Sequence, residues 1–293
     1  MKMPTVRRPT RHPLRRLPAP LPLAVALASA FGAGKAWAQN VIQPMPAAGG
    51  GQVTATTVQS SGTLTDITTG TVRGGTAFNA FTRFEIAGGQ TVNVHVPTEA
   101  GSGRVVNLVR HAITVNGTVN TLRDGRIGGH AVFASPDGMV VGPNGVVNAG
   151  RLSVHAPRQA EFDRLVGNLG NATGDALAQR LVDGQLPRSG SGLIRVEGQL
   201  NAIDGVRLET GGNVEVATGG AVRAGADVAQ APSLRAAVNA GHAAAPVVMR
   251  QVGGVIEIVA EGSVTVAGTL DASQRLGGTL SAAALADGQG RGG

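Results

Sequence analysis

Apolar and polar residues alternate in short bursts along most of this chain, and the bursts recur. One octapeptide pattern, apolar-x-apolar-x-Gly-x-apolar-Asn/Asp, appears three times. It is Ile113-Thr-Val-Asn-Gly-Thr-Val-Asn120, Ile194-Arg-Val-Glu-Gly-Gln-Leu-Asn201 and Val264-Thr-Val-Ala-Gly-Thr-Leu-Asp271. Weaker copies are Gly145-Val-Val-Asn148 and Val214-Glu-Val216 followed by Gly220-Ala-Val222. Period-two alternation puts the apolar residues of each burst on one face of a strand. The glycine marks a bend or a tight inward position, because it has no Cβ. The closing Asn or Asp suits either a turn or a ladder stacked on its equivalent in the next coil. Strand, glycine corner, strand and turn, repeated without helices, predict an all-β solenoid whose stacked coils share one core. A sandwich of antiparallel hairpins is the other fold compatible with the pattern, since Asn-Gly at 116 and 144 also fits hairpin turns.

Two stretches break the β pattern. Ala160-Glu-Phe-Asp-Arg-Leu-Val166 and Asp175-Ala-Leu-Ala-Gln-Arg-Leu-Val182 carry helical spacing, with Leu177 and Leu181 four apart. They predict two short helices in an insertion over 158–186. A second, Ala-rich excursion over 228–247 contains Pro232 and Pro246 and reads as a short helix or a loop. Residues 39–62 are rich in Gly, Ala, Thr, Gln and Ser and read as a loosely ordered lead-in, with an early strand or two between Val53 and Val72. The chain stops in mid-pattern over 286–293 without a cap, which predicts the front piece of a longer protein or a split reading frame.

The first 38 residues change the reading of charge and compartment. A basic start with Arg7, Arg8, Arg11, Arg15 and Arg16 precedes an apolar run from Leu17 to Phe31 and the small-x-small site Ala36-Trp37-Ala38. That order is a secretory signal peptide, cleaved between Ala38 and Gln39. The leader holds seven of the 25 basic residues and none of the 18 acidic ones, so the remainder carries 18 of each. The formal net charge of +7 therefore belongs to the leader. It gives no case for a nucleic-acid partner. Cysteine is absent, so no disulfide can form in an oxidising compartment. Only five Phe and no Tyr remain after the leader, which leaves Val, Leu, Ile and Ala to build the core.

Residues 77–157 resemble the secretion domain that opens two-partner-secretion exoproteins, the filamentous haemagglutinin family, in its leukotoxin-like filamentous adhesin branch. The matching stretches run in order from Phe78-Asn79-Ala-Phe81-Thr-Arg-Phe84-Glu-Ile86 through Thr91-Val-Asn-Val-His-Val-Pro97, Asn107-Leu-Val109 and Ile113-Thr-Val-Asn-Gly117. Gly128-Gly-His-Ala-Val-Phe-Ala-Ser-Pro-Asp-Gly-Met-Val-Val-Gly142 and Val147-Asn-Ala-Gly150 close the run. Weaker similarity continues from Gly192 to Asp271. The family usually has Asn-Pro-Asn-Gly where this chain has Ser135-Pro136-Asp137-Gly138, a change that keeps the turn chemistry.

The resemblance implies a right-handed parallel β-helix with an N-terminal cap. It divides the chain into a secretion domain over 63–157, the helical insertion and further coils over 187–285. It implies export through the Sec translocon to the periplasm, recognition by an outer-membrane POTRA-barrel transporter, and a final place at the cell surface or in the medium. Asn79, Phe81, Phe84, Asn107, Ser135, Pro136, Asp137 and Gly138 are its candidate transporter-recognition residues. Phe78, Phe81 and Phe84 read first as an apolar cap over the first coil, a role compatible with recognition.

Signs of other chemistry are weak. His95, His111, His130, His155 and His242 lack metal-ligand spacing and read as single surface or turn residues. There is no G-x-S-x-G elbow. Asp124, Asp137 and Asp204 fall in separate turns. The expectation is a non-enzymatic secretion module of a large adhesin, with neither cofactor nor metal, whose surface target the sequence does not name. The competing class is a β-helical polysaccharide-degrading enzyme, which would need carboxylates converging on one coil face.

Overall fold

The computed structural model describes residues 39–98, 103–225, 254–272 and 279–284. The leader, the excursion over 228–247 and the tail over 286–293 lie outside the described residues. Within them the chain is mostly β, a long mixed and largely parallel sheet with two helices.

The first strands are β1 (Val41–Pro44), β2 (Thr56–Ser61), β3 (Leu64–Thr69) and β4 (Val72–Arg73). Residues 39–62, expected as a loose lead-in, thus hold two strands. β2 and β3 form a hairpin around Gly62, whose φ of +61° suits glycine. The chain then repeats a three-strand pass. The first pass is β5 (Thr76–Ile86), which serves two positions, and β6 (Thr91–His95). The second is β7 (Arg104–Val109), β8 (Ile113–Val115) and β9 (Thr118–Arg123), followed by the short β10 (Arg126–Ile127). The third is β11 (His130–Ala134), β12 (Gly138–Val141) and the start of β13 (Val146–Ala156). The end of β13 opens the fourth pass. After helices α1 (Gln159–Val166) and α2 (Ala172–Val182), it resumes with β14 (Leu193–Val196) and the start of β15 (Gln199–Thr210). The end of β15 leads to β16 (Val214–Val216) and β17 (Ala221–Ala224). Last come β18 (Val255–Ala260), β19 (Val264–Val266), β20 (Thr269–Asp271) and β21 (Thr279–Ala284).

Successive passes pair in parallel, in three ladders. The first ladder aligns Phe78, Val106, Val132, Ser153, Arg207 and Glu257. The second aligns Ile86, Val115, Val141, Val196, Val216 and Val266. The third aligns Val92, Val119, Val147, Leu200, Val222 and Leu270. The octapeptides are the second-to-third ladder segments of their passes. Their glycines sit where one pass crosses close over another. A Cβ on Gly198 would overlap the carbonyls of Gly142 and Gly145, which explains the repeat's invariant position. Neither Asn116-Gly117 nor Asn144-Gly145 makes a hairpin: β8 pairs with β12 and β5, whereas β9 pairs with β6, β13 and β10. Antiparallel pairing among named strands is confined to β1–β5, β2–β3, β4–β5 and β9–β10.

One apolar cluster draws on all three ladders, with Val, Leu, Ile and Ala predominating. A second lies on the other face of the first ladder, where Phe78, Val106, Leu108 and Val132 meet Phe162, Leu165, Leu177 and Leu181 from α1 and α2. That two-sided burial is why β7 reads as a near-continuous apolar run. α2 begins before Asp175 because Asn171 caps it, accepting the Gly174 N–H at 3.0 Å. Phe81 and Phe84 belong to the first cluster and Phe78 to the second. The outer edge of β5 is covered by β1 instead, from Val41 opposite Glu85 to Pro44 opposite Phe81.

Candidate functional site

The eight candidate recognition residues fall on two strands and one turn. Asn79, Phe81 and Phe84 lie on β5, Asn107 lies on β7, and Ser135–Gly138 links β11 to β12. Parallel register brings Asn79 beside Asn107, whose Oδ1 accepts the Asn79 amide at 3.0 Å. Thr56 donates to Asn79 Oδ1 at 2.8 Å, and Asn107 donates to the Val132 carbonyl at 3.4 Å. Phe81 and Phe84 meet edge to face at 5.3 Å, and Phe84 lies 5.8 Å from Phe133. In the turn, Ser135 Oγ donates to the His111 carbonyl at 2.8 Å and accepts the Asp137 N–H at 3.2 Å. Gly138 has φ +89°, and a Cβ there would overlap the Leu193 carbonyl. The serine and the glycine thus keep the turn that the sequence change preserves. Of the eight residues only Asp137 is exposed. At the proposed cleavage point Gln39 is exposed, and Ala38 lies outside the described residues.

The motif-closing asparagines are ladder members, not turn residues. Asn120 donates to Asn93 at 3.1 Å, Asn148 to Asn120 at 2.9 Å and Asn201 to Asn148 at 3.0 Å. All four are buried, and the row starts at Asp66, which accepts from Asn93 at 3.2 Å and pairs with His95 at 2.8 Å. A carboxylate accepts only, so it gives the row of amides a single direction.

The histidines need a correction. His111 is exposed, but His95, His130 and His155 lie in strands, and His242 lies outside the described residues. His130 bonds to Ser153 Oγ at 2.8 Å. Burial, reinforced by the positive charges of Arg151, His155 and Arg104, lowers its pKa to about 3. His155 is 3% exposed and pairs through Nδ1 with Glu209, 2% exposed, at 3.3 Å. Arg188 meets the same carboxylate at 2.6 Å and Arg207 meets it at 2.9 Å. Burial alone pushes Glu209 up, but the His155 hydrogen bond and the charges of His155, Arg207 and Arg188 outweigh it and hold its pKa at about 2. Asp204 lies within β15 at a bend in the register, not in a turn.

Sequence reasoning missed this ion cluster. His155 and Glu209 come together only because β13 and β15 are in register. Glu257 and Glu261 complete the group, each 3.3 Å from Arg207 and Arg188 respectively. His155 Nε2 has no partner and faces a cavity of about 10 Å³ lined by Leu181, Leu186, Arg188 and Glu209, room for about one water. An open cleft of about 370 Å³ lies elsewhere, between Thr68, His95, Pro97, Leu122 and Asp124. Asp124 has φ +53° there, but Asp124-Gly125 is the tip of the β9–β10 hairpin, where such backbone is normal. Among the described residues no group of three or more His, Asp or Glu is placed to hold a metal ion, and no helix is long and apolar enough to cross a membrane. No family model and no curated protein matches the chain.

Proposed function

We propose that this chain is the N-terminal secretion module of a large, surface-exposed filamentous adhesin, folded as a right-handed parallel β-helix. The observation that carries the reading is the shared register of three parallel ladders visited in the same order on each pass, behind an N-terminal antiparallel cover. The right-handed sense follows the strong preference of parallel crossovers. A POTRA-barrel transporter in the outer membrane recognises the chain in the periplasm. Seven of the eight candidate contacts are buried once the ladders form. Recognition through them therefore precedes folding, as threading through a narrow barrel demands. Outside the cell, stacking of pass upon pass disfavours return.

A polysaccharide-cleaving enzyme gains one observation, the gathering of Glu209, Glu257 and Glu261. Each carboxylate there is matched by Arg188 or Arg207, and the small cavity beside Glu209 holds about one water rather than a sugar ring. The cluster reads better as a structural ion network.

The test is expression of the full chain in a Gram-negative host, with and without a co-expressed outer-membrane POTRA-barrel transporter. The expected result is release into the medium, with Gln39 as first residue, only when the transporter is present. Equal release without it would overturn the reading.

A further inference from the structure

Residues 159–186 leave the fourth pass and return to it at one narrow neck. Arg158 N–H donates to the Pro187 carbonyl at 2.8 Å, and Ser189 N–H donates to the Ala156 carbonyl at 2.8 Å. Beyond the neck β14 resumes pairing with β12 in continuous parallel register. The segment covers its own pass only in part, where Leu181 and Leu186 line the small cavity beside His155 and Ala156. Its helices lie on Phe78, Val106, Leu108 and Val132 of the first three passes. On that same face the fourth and fifth passes change to Ser153, His155, Arg207 and Glu209, so the strip turns polar beneath the end of the cover, where Leu181 and Leu186 meet His155 and Glu209.

The attachment is of one kind. The backbone hydrogen bonds found for 159–186 stay within the segment or its neck, whereas each ladder strand is bonded to its neighbours through the main chain. Apart from the apolar contact, the helices and their link reach the first passes through Arg73–Asp175 at 2.8 Å, Arg73 to the Gly170 carbonyl at 3.1 Å, Arg104–Gln179 at 2.8 Å and Arg110–Asp163 at 3.5 Å. These ties are exposed and individually weak. A unit held by side chains alone has a lower opening free energy than the ladders it covers.

We propose that the α1–α2 hairpin is a strap that opens as one unit about the Pro157–Arg188 neck and uncovers an apolar strip on the first three passes. The closed strap shows what the strip accepts: the apolar face of an amphipathic helix. This device goes beyond the secretion reading and does not depend on it.

The test is hydrogen exchange on the full chain carrying Arg73→Cys and Asp175→Cys, in a protein that otherwise has no cysteine. Exchange is compared before and after the two thiols are joined by a reducible bismaleimide. Before joining, amides of 162–166 and 175–182 are expected to share one opening, at least about tenfold faster than those of β7 and β11. Joining slows them together to the ladder rate, and reduction restores the difference. Hairpin amides that exchange at the ladder rate from the start, or that fray in a graded way with no response to the bridge, would sink the proposal. Neither outcome bears on the transporter experiment.

Discussion

His130 and Glu209 sit in the same folded protein, yet both have pKa values below their ordinary range for different reasons. Desolvation leads for His130, and nearby Arg151 adds to it. A hydrogen bond from His155 and the charges around the carboxylate, Arg207 and Arg188 among them, overcome desolvation for Glu209. The consequence for stability has one sign. His130 stays neutral in the folded state down to about 3, whereas the unfolded chain takes up that proton near 6.5. The unfolded state therefore binds more protons across that interval, and stability falls as pH drops through it. Glu209 adds a second loss between its ordinary 4.5 and about 2. Urea midpoints measured from pH 7 down to pH 3 should fall progressively, and His130→Gln should flatten the part above about pH 5. Equal slopes for the two proteins would show that His130 does not titrate as its surroundings dictate.

At the scale of elements, the buried amide row shows how a repeat gains register from polar groups. Asn93, Asn120 and Asn148 each donate and accept, so one internal deletion strands two neighbours. Asn148→Leu would leave Asn120 Oδ1 without a donor and Asn201 Nδ2 without an acceptor. Two unsatisfied buried groups cost roughly 2–5 kcal/mol. Asn144→Ala, at an exposed turn position, should stay within about 0.5 kcal/mol. Chemical denaturation of both variants separates the cases. A near-silent Asn148→Leu would mean that the row relaxes or takes up water.

Across the whole molecule, the absence of cysteine and the parallel register meet in one experiment. Val119 and Val147 are register partners on neighbouring passes and both are fully buried. Parallel neighbours about 4.8 Å apart lie within disulfide reach. With Val119→Cys and Val147→Cys, export should stop when the periplasm is oxidising and resume under reductant, read as protein in the medium. Export at the normal rate with the disulfide formed would count against threading of an unfolded chain.

Local pattern alone was enough for the β class, for the strands of the octapeptides, for the tightness at their glycines and for two helices between Ala160 and Val182. These depend on periods of two and 3.6 and on the missing Cβ, which act within a few residues of the chain. Pairing direction was beyond its reach, because a short alternating strand offers the same apolar face to a parallel or an antiparallel neighbour. Hence Asn116-Gly117 fitted a hairpin until its flanking strands were seen to pair elsewhere. The same limit applies to Asn120 and Asn201, whose role as ladder or turn depends on what arrives in register beside them. It applies to His155 and Glu209, joined only by neighbouring passes, and to β1 and β2, which gain their order from the strands they pair with. Tertiary structure decided these points because a buried polar group or a strand edge is stable only with its partner, and the partners are distant in the chain.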